Sequence, residues 1–215
     1  MKALVLALAL LCVAAGAFAV DFGVGASGSY FMSDIKATAA GLTSDSLETG
    51  IPFHFMAFAD IGSLQMSVGY RIVNGFHIKS TSPSGTVTNS DDTTSKYNYL
   101  TFAVYGKLPI ELGSITLFPM IGIEYDLTLA ATSSTGATAT SQDKSDLSSL
   151  WIKGGLGADI LVSQGFYIRP ELLIGYQLNN QIEKDAITLL KLFGASDVSI
   201  LDLNVELAVL FGVRI

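Results

Sequence analysis

Apolar and polar residues alternate along this chain with a period of two, the mark of strands that bury one face. Eight runs carry the pattern: residues 22–32, 51–59, 64–76, 98–107, 114–129, 150–162, 166–178 and 201–215. Most span about 9–15 residues, whereas strands of soluble proteins usually run to about 5–6. A tilted strand needs about 9–11 residues to cross a bilayer. The connections alternate in length. Those at 33–50, 77–97, 130–149 and 179–200 are long and rich in Ser, Thr, Gly, Asp and Asn, as solvated loops are. Those at 60–63, 108–113 and 163–165 are short. Tight turns at one end and long loops at the other describe transmembrane barrels. The pattern therefore predicts an all-β fold, an eight-stranded antiparallel up-and-down transmembrane β-barrel over residues 20–215. An even strand count returns both termini to the periplasmic side.

The distribution of charge sharpens this picture. One face of every run, from Phe22, Val24 and Ala26 to Val209, Phe211 and Val213, carries no charged residue. The opposite face holds all the charges within the runs: Arg71, Lys107, Lys153, Arg169 and Arg214 against Glu124, Asp126, Asp159, Glu171, Asp202 and Glu206. A positive charge facing lipid at the midplane costs about 2–4 kcal/mol, so confinement of charge to one face is what a bilayer enforces. Alternation alone also fits a soluble periplasmic, lipocalin-like binder with the faces reversed. Three features favour lipid outside. The runs are long, both signs of charge share one face and can form a lumen ion-pair network, and aromatic residues sit near strand ends. Tyr30, Tyr99, Tyr125 and Tyr176 stand towards one end and Phe22, Phe166 and Phe211 towards the other, where girdles mark the lipid interfaces. Pro119 and Pro170 lie within runs and cannot donate to a ladder, so bulges or unpaired rungs are expected there. Gly154, Gly155 and Gly157 are expected where inward bulk must be small.

Two segments stand apart. Residues 1–19 read as a cleaved export signal: Lys2, an apolar run, then Ala17-Phe18-Ala19 as the small-x-small site, cut after Ala19. Its removal also removes Cys12, the sole cysteine, so no disulfide framework is expected. In the last long connection, Ile182, Ala186, Leu189, Leu190 and Phe193 fall on one face of a short amphipathic helix within residues 181–193, stopped by Gly194. The rest of the composition mainly excludes. Beyond residue 19 there are 11 Lys and Arg against 19 Asp and Glu, a net charge of −8, which argues against nucleic acid as a partner. Nucleophilic catalysis needs a base beside its nucleophile, and His54 and His77 are the only histidines, with no metal-ligand spacing and no Gly-rich phosphate loop. No enzyme activity, metal or cofactor is expected.

Several stretches resemble the small bacterial outer-membrane barrels of the OmpA, OmpX and OmpW kind, the OmpW-like members above all. Phe118-Pro119-Met120-Ile121-Gly122-Ile123-Glu124-Tyr125 looks like a strand of that family. Trp151 through Gly155, with Gly157 and Asp159, the Ser163-Gln164-Gly165 turn and a strand bearing Arg169 and Glu171, resembles its next hairpin. The end Phe211-Gly212-Val213-Arg214-Ile215 resembles the family's assembly signal, but closes on Ile rather than an aromatic residue. The resemblance implies the barrel-assembly machinery as a partner, besides outer-membrane lipid, and a narrow conduit for small hydrophobic solutes. Its expected lumen wall is His54, Met56, Arg71, Tyr99, Trp151 and Leu173. Eight strands leave an interior that side chains can fill, so a general diffusion pore is not expected. The alternative is a structural or adhesin-like barrel that contacts host surface molecules through its long loops. A closed barrel leaves no edge that demands a second copy, so a monomer is expected.

Overall fold

The computed structural model describes residues 20–133, 135–179, 187–188, 190–192 and 195–214. The export-signal reading of residues 1–19 lies outside these. So does most of the helix expected within 181–193, of which Ile187, Thr188 and residues 190–192 are described and helical.

Besides the helical residues at 187–188 and 190–192, the described chain holds these elements: β1 (Val20–Ala39), β2 (Leu42–Gly50), β3 (Phe53–Ile61), β4 (Leu64–Thr81), β5 (Val87–Lys107), β6 (Ile110–Leu112), β7 (Ile115–Thr132), α1 (Ser141–Asp146), β8 (Ser149–Ser163), β9 (Phe166–Asn179) and β10 (Asp197–Arg214). They form eight antiparallel staves. β2 and β3 are one stave interrupted at Ile51-Pro52, since both pair with β1 and with β4. β5 and the short β6 both pair with β7. The ring continues through β7–β8, β8–β9 and β9–β10, and β10 returns to β1 from Asp21↔Arg214 to Thr38↔Asp197. Apart from breaks at two prolines and at the register shifts, the backbone of the band thereby pairs within the sheet, as hydrocarbon demands.

The prolines explain two gaps in these ladders. Pro119 lies where β7 passes from one partner to the next, between Lys107↔Met120 and Ile110↔Leu117, and its carbonyl accepts from Leu108 N–H at 3.1 Å. Opposite Pro170 the β8–β9 ladder skips from Gly157↔Glu171 to Ile160↔Ile168, while the β9–β10 ladder runs on through Pro170↔Val209. The register shifts lie elsewhere, at Asn74/Phe76, Asn98/Tyr99, Leu150/Trp151 and Leu161/Ser163.

The faces are sorted inside out relative to a soluble protein. Phe22, Val24, Phe55, Ile121, Leu156, Ile174, Leu207 and Phe211 are exposed on the outer wall, whereas Arg71, Lys153, Arg169, Glu124 and Glu206 are buried in the lumen. A lipocalin-like binder needs the opposite arrangement, so that alternative is set aside. Two of the long connections are not loops but barrel wall. β1 and β2 continue as a hairpin turned at Ala40-Gly41, both at positive φ (51° and 79°). β4 and β5 run on to Thr81↔Val87, with a bend at Gly75 (φ 71°). These extensions escape the alternation signal because both of their faces are wet. Thr and Ser favour strands there without needing a buried side.

Inside, large side chains stand over glycines on the neighbouring strand. Phe58 faces Gly23, Tyr105 faces Gly122, Phe118 faces Gly157 and Tyr167 faces Gly212, each as a direct cross-strand pair. A Cβ built on Gly157 would lie 2.3 Å from the Phe118 ring, and one on Gly212 would lie 2.1 Å from the Tyr167 ring. A glycine thus gives a ring room to lean along the sheet. Gly157→Ala is expected to lower barrel stability by about 1–3 kcal/mol through overpacking. Much of that loss should return in the Gly157→Ala/Phe118→Leu double variant, read as urea midpoints in vesicles. A double variant no better than the single would show that the ring does not set the requirement for glycine.

Candidate functional site: a filled lumen beneath an aromatic cup

Each inward residue is placed by the two-residue period of its stave, and together these residues form layers along the barrel axis. Moving from the hairpin end towards the termini, the first layer is ionic. Arg71 on β4 donates through Nη2 to Glu124 (2.5 Å), through Nη1 to Asp126, and lies 3.5 Å from Glu206. Lys153 Nζ on β8 bridges Glu124 at 2.7 Å and Glu206 at 2.6 Å. His54 on β3 spans Glu206 (Nδ1, 3.2 Å) and Thr101 (Nε2, 2.7 Å), and Ser27 Oγ–H donates to Glu206. Three carboxylates therefore meet a guanidinium, a lysine amine and an imidazole.

An apolar layer follows, of Ala103, Tyr105, Phe118, Met120 and Leu173. The Tyr105 hydroxyl reaches up to Glu124 at 3.2 Å. A second ionic layer closes the termini end. Arg169 is fully buried, with Nη2 2.5 Å from Asp60, Nε 2.5 Å from Asp159, and Nη1 2.9 Å from Gln65. Its guanidinium also lies 4.7 Å from the Phe58 ring centre, 5.1 Å from Phe118 and 5.0 Å from Tyr167, a desolvated cation–π cage. Lys107 adds a bond to Asp60 at 2.6 Å, and Gln65 donates to Glu171 at 3.1 Å. Beside this layer Phe58, Tyr167, Ala208 and Leu210 pack together, with Met56 against them on the side of His54. At the rim Arg214, half exposed, lies 3.3 Å from Asp21 and 3.9 Å from Asp159.

Above the first ionic layer the lumen opens into a cup of about 330 Å³. Its wall includes Phe31, Val73, Phe76, Tyr97, Tyr99, Trp151, Ile200 and Asn204, and its carboxylates are Glu48, Asp126, Asp146 and Asp202. Phe31 meets Trp151 edge-on at 6.3 Å; Phe76 meets Tyr97 edge-on at 5.5 Å, and Tyr97 stacks on Tyr99 at 6.4 Å. The helix α1 brings Asp146 and then Leu147 over the mouth. It starts at a capping box in which Thr140 and Asp143 bond each other's backbone N–H. The Thr140 N–H and then its hydroxyl donate to the exposed Asp143 carboxyl and hold it below its ordinary range. On the hairpin beyond the band, bonds from the Ser95 hydroxyl, and then from the Ser95 and Thr94 N–H groups, hold Asp92 at about 2.

Of the six residues expected to wall a conduit, Arg71, Tyr99 and Trp151 line the cup. His54 belongs to the first ionic layer, Leu173 to the apolar layer and Met56 to the lower cluster. Of the charges, Arg71, Glu124, Asp126, Lys153 and Glu206 meet in the upper layer. Lys107, Asp159 and Arg169 meet in the lower one, with Glu171 joined through Gln65. Asp202 lines the cup, and Arg214 holds the rim. Asp60 falls in a predicted turn and Asp21 before the first predicted run, yet both are buried. The alternation His54, Met56, Phe58, Asp60, carried two residues further, was the signal that places Asp60 inward.

One grouping has the makings of a metal site among the described residues: ligand atoms of His54, Glu124 and Glu206 lie within 4.8 Å of one another. Lys153 Nζ already supplies positive charge between both carboxylates, so an ion there would compete with an internal ammonium. His77 pairs with Asp91 at 2.5 Å across the exposed β4–β5 hairpin, away from the cup lining.

Comparison with a family model agrees with this architecture. The family model described as outer membrane protein beta-barrel domain matches residues 3–191. No curated protein matches the chain. Among solved structures, the chain is similar to neisserial surface protein A (11% identity, TM-score 0.46, covering 88% of this chain and 97% of that one). It is similar also to OprG from Pseudomonas aeruginosa (11%, 0.47, 92% and 97%) and to the outer membrane protease OmpT from Escherichia coli (8%, 0.49, 92% and 97%). With 189 residues matched and an uncharged wall around a charged lumen, the chain belongs to the outer-membrane β-barrel domain family and is an outer-membrane protein.

Proposed function

We propose that this barrel works as a sealed membrane anchor whose active surface is its hairpin end, rather than as an open pore. The observation that carries this reading is the layered lumen. Two ionic layers and the ring layer between them fill the interior with buried side chains. Passage of a solute would require breaking charge pairs held at low dielectric, a costly step without replacement partners. The three short turns, at Gly62, Gly113 and Gly165, all lie at the termini end. In this reading that end is periplasmic, and β1–β2, β4–β5 and α1 face outward to contact surface molecules. The closing strand β10 is the segment offered to the assembly machinery, and the barrel acts as a monomer.

A narrow conduit for small apolar solutes is the second reading, favoured by the aromatic wall of the cup. Reconstitution into planar bilayers separates the two. The sealed reading expects no stepwise conductance from the native barrel, and none still when Arg71 and Lys153 are both replaced by alanine, because the ring layer and the Arg169 layer remain. Regular steps from the native protein would reject the seal and favour the conduit.

A further inference from the structure

We infer that the cup at the hairpin end is a binding site for an organic cation, such as a quaternary ammonium headgroup. This goes beyond the sealed-barrel reading and does not depend on it, because the cup lies above the ionic layers whether or not they open.

Three observations converge. The first is the wall: five aromatic rings, Phe31, Phe76, Tyr97, Tyr99 and Trp151, line one cavity and touch as a pair and a triplet. Aromatic faces carry negative potential, and several of them around one space select for cations of low hydration. The second is charge. Glu48, Asp126, Asp146 and Asp202 line the cup against one cationic side chain among the described residues, Arg71. That guanidinium is engaged by Glu124, Asp126 and Glu206. The third is unmet acceptor capacity at the floor. Asn204, 4% exposed, and Asp126, 3% exposed, both line the cavity, and the buried Oδ1 of each has no partner among the described residues.

The electrostatics of Glu48, on the extension beyond the apolar band, fits. Burial pushes its carboxyl above the ordinary range, and the nearby charges of Asp202 and Asp92 push in the same direction. Like charge is gathered at the cup with little internal cation to offset it. An anion would meet repulsion from the four carboxylates, and a neutral apolar ligand would leave their charge unanswered, whereas an organic cation answers the charge and the ring faces together. The volume is within the usual range for small-molecule pockets.

Trp151 is the single tryptophan of the chain and stands in the cup wall, so its fluorescence reports on occupancy directly. The folded barrel is held in a non-ionic detergent, since a phosphocholine headgroup would itself be a candidate ligand. It is titrated with choline and with its neutral carbon isostere, dimethylbutanol. The inference expects a saturable change with choline and roughly tenfold weaker binding of the isostere. Glu48→Gln and Tyr97→Leu are each expected to weaken choline binding several-fold, with little effect on the isostere. Both variants are first checked for the boil-dependent gel shift of a folded barrel. Equal affinity for choline and isostere would overturn the proposal in favour of a plain apolar cup, as would a folded native barrel with no saturable response.

Discussion

Replacing Arg169 by alanine is expected to destabilise the folded barrel by about 3–5 kcal/mol, because removing one member of a buried ion cluster strands the others. Arg169 is the hub of the lower layer. It binds Asp60, Asp159, Gln65 and the Tyr167 hydroxyl, and it lies against three rings. Without it Asp60 keeps Lys107 at 2.6 Å, but Asp159 is left with only Arg214, 3.9 Å away at the rim. The void left beside Phe58 and Phe118 adds a packing loss. The cost resides mostly in the stranded Asp159 carboxylate, so a variant that removes that acid as well should recover most of the stability. Arg169→Met with Asp159→Asn is that variant, since Asp60 keeps Lys107. Reversible urea unfolding in lipid vesicles, followed by Trp151 fluorescence, measures all three proteins. A loss below about 1 kcal/mol for Arg169→Ala would mean that the layer is hydrated and not a seal.

Leu207→Arg is expected to cost about 2–4 kcal/mol, the penalty for a positive charge facing hydrocarbon near the midplane. Leu207 is 62% exposed on β10, between Phe211 towards one rim and the Tyr30 and Tyr176 level towards the other. The control is Thr88→Arg, an exposed position on the β4–β5 extension, where a surface substitution should stay within about 0.5 kcal/mol. The two substitutions add the same side chain to an exposed position, and they differ only in the solvent that the position meets. Equal effects would say that the outer wall at Leu207 is wet.

The wall was legible from sequence because lipid leaves so little latitude. Once charge is excluded from one face, Leu64 and Phe166 can be read as strand starts, and both begin strands in the structure. What the alternation could not reveal is where hydrocarbon stops constraining the chain. β2 and the outer half of β5 continue in regular pairing, but with polar residues on both sides they leave no period to detect. The pairing of lumen charges was also hidden. Arg169 on β9 and Asp60 on β3 are not neighbours in the sheet. They meet across the lumen, and that meeting depends on barrel width and stagger, which no linear pattern encodes. The cup was half legible: Trp151 and Tyr99 were on the inward face, but Phe31, Glu48 and Asp146 come from segments read as strand end or loop.

The rings that stand over glycines bear on how such a barrel finds its alignment at all. A strand that slips by one residue turns its charges into lipid and is rejected at once. A strand that slips by two keeps every side chain on the correct face, so alternation offers no defence. The rings do. A two-residue slip of β5 against β7 would bring Tyr105 from Gly122 onto Glu124 or Met120, and one of β9 against β10 would bring Tyr167 from Gly212 onto Leu210 or Arg214. Each ring and its glycine therefore behave as a key and a keyway, admitting one stagger and obstructing the misalignments that hydrophobicity cannot tell apart.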